Sequence, residues 1–230
     1  METRVLRLAD LSACPLGPPP VHLEVVLAMT RASLTLSLLD AWSKNGAKIF
    51  NDPSSIRNIL NRPALFAALR TANIDIPSTG WMRTGSAPPI GWLRKNAWTS
   101  HNGVKGTGEA SHHRERTRRS QSRSDNGWNL WQANVGAGYT VKLYSVGGDL
   151  MVPASVTLDA AELRDANRLI GRCRDVLGAD VFGIDVIFTE DGAVVVDVND
   201  FPSFAGVASP AETIVEFVLS SVADVATRSA

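Results

Sequence analysis

The chain has 230 residues, 44% of them apolar, with 23 basic against 23 acidic side chains and two cysteines. That content supports one large domain or two small lobes packed together without staples. The zero formal charge argues against a chain given over to nucleic acid or an anionic membrane, and Cys14 and Cys173, far apart and without C-x-x-C or metal-ligand spacing, read as idle or buried thiols.

The opening METRVLRLADLSACPLGPPP has neither an unbroken apolar core nor a cleavage site, so no secretory signal is expected and the default compartment is the cytoplasm. It ends in a proline-rich lead-in, Pro15 to Pro20. Glu24 and Arg31 interrupt the longest apolar stretch, so no membrane helix is expected. Residues 21–29 read as a buried strand or short helix, and the spacing from Ser33 to Trp42 predicts a helix stopped by Asn45-Gly46. Lys48-Ile49-Phe50 is a short strand, turned by Asn51-Asp52-Pro53. Ser54 is placed to cap a helix to Leu60, and Pro63 to open another to Ala72.

Residues 90–94, IGWLR, predict a strand, and the glycines of 100–108 predict a loop or tight hairpin. Residues 112–123, HHRERTRRSQSR, carry five arginines against one glutamate, and read either as a solvated helix or mobile loop, or as a contact surface for an anionic substrate. Strands follow at 129–135 and 139–146, joined by a turn at Gly136 to Gly138. Leu163, Ala166, Leu169, Ile170, Cys173 and Leu177 have helical spacing over 159–177. Strands at 181–188 and 193–199 and a helix over 210–226 complete the chain, with no internal repeat.

The segment VFGIDVIFTEDGAVVVDVNDFPSF, residues 181–204, predicts an antiparallel hairpin across Glu190-Asp191-Gly192. A turn centred on Asp191 opposes Asp185 to Asp197, and like charges so placed are destabilising unless neutralised. Period two puts Asn199 beside Asp197, and Val194, Val196 and Val198 on the other face with Ile184, Val186 and Phe188. Three oxygen donors on one face suit magnesium. The other reading is two acids on a solvated sheet face.

Here the sequence resembles the ATP-grasp superfamily, and most its RimK-type carboxylate-amine ligases, through Gly183-Ile184-Asp185 and Asp197-Val198-Asn199, which stand where the family's G-[VI]-D and E-V-N strands supply metal ligands. The tail Asn199 to Phe204 is also similar to the D-x-N-x-F-P stretch of inositol-phosphate kinases of this fold. Asn51-Asp52-Pro53 and Asn73-Ile74-Asp75-Ile76-Pro77-Ser78-Thr79 resemble the family's N-x-P and G-I-P-x-P-x-T passages. The likeness covers about 45–227 and is poor between 95 and 128.

The resemblance implies an α+β fold of two lobes clamping a nucleotide: a shortened N-terminal region at 1–50, a small lobe at 51–128 with a mobile loop at 100–127, and a large lobe at 129–230. It implies ATP and Mg2+ as ligands, with Asp185, Asp197 and Asn199 on the metal. Arg62 and Arg94, with Lys95 as the alternative to Arg94 if the strand is displaced by one, stand where the family has phosphate-binding lysines, and Asp197 where it has glutamate. Gly103, Gly106 and Gly108 lay backbone amides over the phosphates, or form an ordinary hairpin. Gln132, Ala133, Asn134 and Val135 form the adenine-holding linker, and Lys142 lies near the transferred phosphate, with Lys142 and Arg94 as the catalytic residues. The expected activity is ligation of a carboxylate to an amine through an acyl phosphate; the alternatives are a polyol-type kinase and a non-catalytic nucleotide-binding remnant. Expected partners are a small-molecule or peptide substrate and a second copy or subunit completing the N-terminal region, with neither nucleic acid nor membrane.

Overall fold

The computed structural model describes residues 25–83, 85–95 and 128–228, in which three sheets and five helices are formed. Strands β1 (Val25–Leu27) and β2 (Lys48–Phe50) pair in parallel, which requires a crossover, and helix α1 (Ser33–Lys44) supplies it. The strand-or-helix alternative for 21–29 resolves as this short strand. Trp42, Leu36, Leu38 and Leu39 of α1 bury against Ile49, Ile56 and Leu60.

Helices α2 (Pro53–Leu60) and α3 (Arg62–Thr71) each carry a proline in the first turn, where a missing N–H costs nothing. The cap of α2 is Asp52, two residues before the expected Ser54: its carboxylate accepts from the Ser54 amide at 2.8 Å and hydroxyl at 2.5 Å. A carboxylate is the stronger acceptor for helix N-terminal amides. Asn61 caps α3 through the Ala64 amide.

The antiparallel small sheet has the order β3 (Thr79–Arg83), β5 (Trp128–Ala133), β4 (Trp92–Lys95). Strand β4 begins two residues later than expected, after Gly91 at φ +80. Lys95 pairs with Leu130, and Leu130 with Trp81. Alternation therefore puts Lys95, Leu93, Leu130 and Gln132 on one face, and Arg94, Trp92 and Trp131 on the other. The linker strand and the next, β6 (Tyr139–Val146), lie in different sheets.

The large sheet runs β7 (Asp149–Met151), β6, β8 (Val181–Thr189), β9 (Gly192–Asp200), all antiparallel. Helix α4 (Ala160–Leu177) opens with a capping box between Asp159 and Glu162 and ends on Gly178 in the left-handed region. Its buried stripe packs with α2 and α3 onto Ile184, Val186, Val195 and Val198. Cys173 lies in that stripe, and burial pushes its thiol up to about 12. At the far end, Tyr144, Val146, Val181 and Phe204 form a second cluster, with Phe217 of helix α5 (Pro210–Arg228) packed on it.

The hairpin differs from expectation in one instructive way. Thr189 pairs with Gly192 across a two-residue turn, so Val186 opposes Val195. A bulge at Val196 then inserts one residue, and Asp185 opposes Asp197 after all. Ala193 and Val195, rather than Val194 and Val196, therefore join Val198 in the core.

Asn51 ties the N-terminal unit to this sheet. Its side chain is buried, donates to the Val181 carbonyl at 2.5 Å and accepts from the amides of Asp180 and Val181 at 3.0 and 2.8 Å. Among the described residues no helix is long and apolar enough to cross a membrane, and the segments 1–24 and 96–127, with the expectations placed on them, lie outside those residues.

Asn51→Ala removes the acceptor of the Asp180 and Val181 amides and a donor to the Val181 carbonyl at the start of β8, and is expected to cost at least about 2 kcal/mol, measured as a lower urea midpoint at unchanged slope.

Candidate functional site

Register places Lys142, Asp185 and Asp197 in one row across β6, β8 and β9. Lys142 Nζ lies 3.2 Å from Asp185 Oδ1. At the outer edge of β9, the Arg62 guanidinium from the first turn of α3 contacts Asp197 Oδ1. Charge thus runs plus, minus, minus, plus across the row. Both aspartates are about one quarter exposed (24% and 23%), yet their Oδ1 atoms are shielded from water, and each meets one of these cations.

The neighbouring row is Tyr144, Gly183 and Asn199. A Cβ at Gly183 would sit 3.1 Å from Pro202 and 3.2 Å from the Tyr144 ring, so glycine lets both pack beside the aspartates. On the other side lies the row Thr140, Ile187 and Val194, where the last two are half-buried and apolar. Among the described residues no three His, Cys, Asp or Glu side chains cluster. The donor set is two carboxylates and an amide, all hard oxygen, and two opposed carboxylates with water-shielded Oδ1 atoms fit a divalent cation that completes its shell with water and phosphate.

Arg62 is 8% exposed. Burial and the neighbouring Arg31 draw its guanidinium down to about 10, against Asp200 and Asp185, so it stays charged at neutral pH. Lys95 donates to the Val196 carbonyl at 3.3 Å, the group that the bulge presents at the sheet edge. Burial, then Arg62, holds its ammonium below the usual lysine value. Of the two neighbours on β4, Lys95 therefore meets the carboxylate row, and Arg94 points away on the exposed face. The sequence favoured Arg94 for this place; the core receives the other face of the sheet, the one that carries Lys95 and Leu130.

Gln132 is buried on the Lys95 face, and its Nε2 has no hydrogen-bond partner among the described residues. The amides of Ala133 and Asn134 are taken by the Ser78 and Gly91 carbonyls at 2.8 and 2.7 Å. The linker can therefore read a ligand through the Gln132 side chain, but not through those two amides. Val135 is half-buried beyond the strand end, and Gly103, Gly106 and Gly108 lie outside the described residues.

Two residues escaped sequence reasoning. Arg31, in the loop between β1 and α1, lies 2.9 Å from Asp200, which is 4% exposed at the end of β9. The available signal was period two: Asp200 continues the core face of Val198, where a carboxylate demands a cation. Which cation answers is a long-range matter.

Burial lifts the Asp200 carboxyl above its ordinary value, against Arg31 and Arg62. The folded chain then holds this proton more tightly than the unfolded chain, so ionised Asp200 costs stability. That cost is absent below the unfolded pKa and grows as pH rises through the folded one. Asp200→Asn is therefore expected to unfold at a higher urea concentration than the parent at pH 7, with the gap narrowing as pH falls towards about 4.

In sequence, no protein-family model and no curated protein matches the chain. In structure, it is similar to a RimK-domain ATP-grasp protein from Sphaerobacter thermophilus, with a TM-score of 0.69 and 23% identity over 92% of this chain and 87% of that one. It is also similar to D-alanine–D-alanine ligase from Bacillus anthracis, with a TM-score of 0.65 and 10% identity over 91% and 83% of the two chains. A third likeness is to the ATP-grasp ligase PsnB complexed with precursor peptide PsnA2 and AMPPNP, with a TM-score of 0.54 and 17% identity over 81% and 66%. What these proteins share with the chain is architecture.

Proposed function

The chain has the ATP-grasp fold, and on it we propose a magnesium-dependent ATP site at the carboxylate row, used to activate a carboxylate as an acyl phosphate for attack by an amine. One observation carries this reading: Asp185 and Asp197 oppose each other with water-shielded Oδ1 atoms, Asn199 lies in the next row, and cations stand at both ends. Magnesium bound there supplies neutralisation of phosphate oxygens and a template for their alignment.

The chain's own groups do the rest. Lys95 from the small sheet and Lys142 from β6 bring positive charge to a triphosphate lying over the row, where charge develops as the phosphoryl group transfers. Thr140, Ile187 and Val194 form a floor for the base, and the unpaired Gln132 amide is a donor for it. In the proposed reaction a donor carboxylate oxygen bonds to the γ-phosphorus as the bridging bond to ADP breaks. The amine nitrogen then bonds to the acyl carbon, phosphate leaves, and the nitrogen gives up a proton. No side-chain nucleophile is required.

Asp185→Asn, Asp197→Asn and Lys95→Ala should each raise the calorimetric Kd for Mg-ATP at least about tenfold with the fold intact, and Arg94→Ala should leave it unchanged. Product analysis with amino acids, peptides and polyols tests the chemistry; peptides are included because PsnB is seen with a precursor peptide. Phosphate release with amide formation supports ligation. A stable phosphorylated polyol would favour a kinase, and tight binding without turnover a non-catalytic nucleotide-binding protein.

A further inference from the structure

Asp185 and Asp197 face one another on adjacent strands, at a Cβ separation of roughly 4.5–5.5 Å where like charges destabilise a sheet. Two cations border them, and they are not equivalent. Lys142 is 46% exposed on a long flexible stem, so water screens it and substitutes for it readily. Arg62 is 8% exposed and reaches Asp197 around the edge of β9. Just before Asp197 the same edge is tied down, since the Val195 amide donates to the Asp75 carbonyl at 2.8 Å and the bulged Val196 carbonyl accepts from Lys95. Removing one member of a largely buried pair leaves the other charge uncompensated.

We propose that Arg62 is a positioning residue that stands in for the metal at Asp197, holding the carboxylate in place and balancing the aspartate pair while no divalent cation is bound. The inference rests on reading Asp185 and Asp197 as the metal site. Its consequence is that the parent assembles this corner without metal, whereas a chain lacking the Arg62 charge needs the metal to do so.

The test is thermal unfolding of the full chain by near-ultraviolet circular dichroism, in EDTA and in Mg2+ on the order of 10 mM, well above the affinity expected of an open two-carboxylate site. The parent should gain less from Mg2+ than Arg62→Gln does, because its arginine already neutralises Asp197. Arg62→Gln should melt several degrees lower in EDTA and regain at least half of that loss in Mg2+. Adding Asp197→Asn to Arg62→Gln should abolish the recovery. Arg62→Lys keeps the charge on a shorter stem and should lose less; if Arg62→Gln does not fold in EDTA, its refolding yield with and without Mg2+ gives the same reading.

A loss in Arg62→Gln that Mg2+ does not reverse would make Arg62 a packing residue and overturn the proposal. So would a parent that gains as much from Mg2+ as the variant does. The underlying reading is tested separately by Mg-ATP calorimetry on the parent: metal rescue of Arg62→Gln in a chain that binds no ATP sinks the nucleotide reading and leaves this one standing.

Discussion

Two carboxylates held face to face on neighbouring strands are the constraint that the rest of the site serves. Asp185 and Asp197 occupy opposed positions of one hairpin, where repulsion works against the pairing that brings them together. The hairpin persists because its other face is an apolar layer, Ile184, Val186, Val195 and Val198, sealed by α2, α3 and α4. Hydrophobic burial on one side supports an electrostatically unfavourable pair on the other. The cations at the ends of the row, Lys142 and Arg62, then come from the neighbouring strand and from the helix turn that passes the sheet edge.

The edge strand β9 is where the parts of the molecule meet. Its bulge turns Val196 outward and exposes a carbonyl, and the small sheet reaches that carbonyl through Lys95. The adjacent Val195 amide pairs with Asp75 in the segment leading to β3. Unpaired edge groups invite association with other chains; here they join the two sheets instead. The end of the same strand meets the N-terminal unit through Arg31 and Asp200, and the start of β8 meets it through Asn51. One hairpin is thus bonded to every other sheet in the described chain.

The departures from the family pattern that the sequence resembles also meet in space. Arg62 stands where a lysine is usual and Asp197 where a glutamate is usual, and these two side chains touch. The planar guanidinium suits a buried contact with a carboxylate better than an ammonium does.

The sequence by itself determined what depends on near neighbours: the amphipathic helix at 160–177 and the hairpin about Glu190-Asp191. Each follows from a period or a turn that a dozen residues specify. Tertiary structure decided the remainder. The bulge at Val196 changed which valines are buried, because a two-residue turn and an inserted residue leave the aspartates in the same register as a longer turn without one. Which of Lys95 and Arg94 faces the hairpin came from which face of its sheet the core receives, and no local pattern in IGWLR distinguishes the two. Arg31 found Asp200 across 169 residues of sequence. Asp200 announces a need for positive charge by its place in the strand period, but only the packing of the N-terminal unit on the sheet edge selects the arginine that meets it.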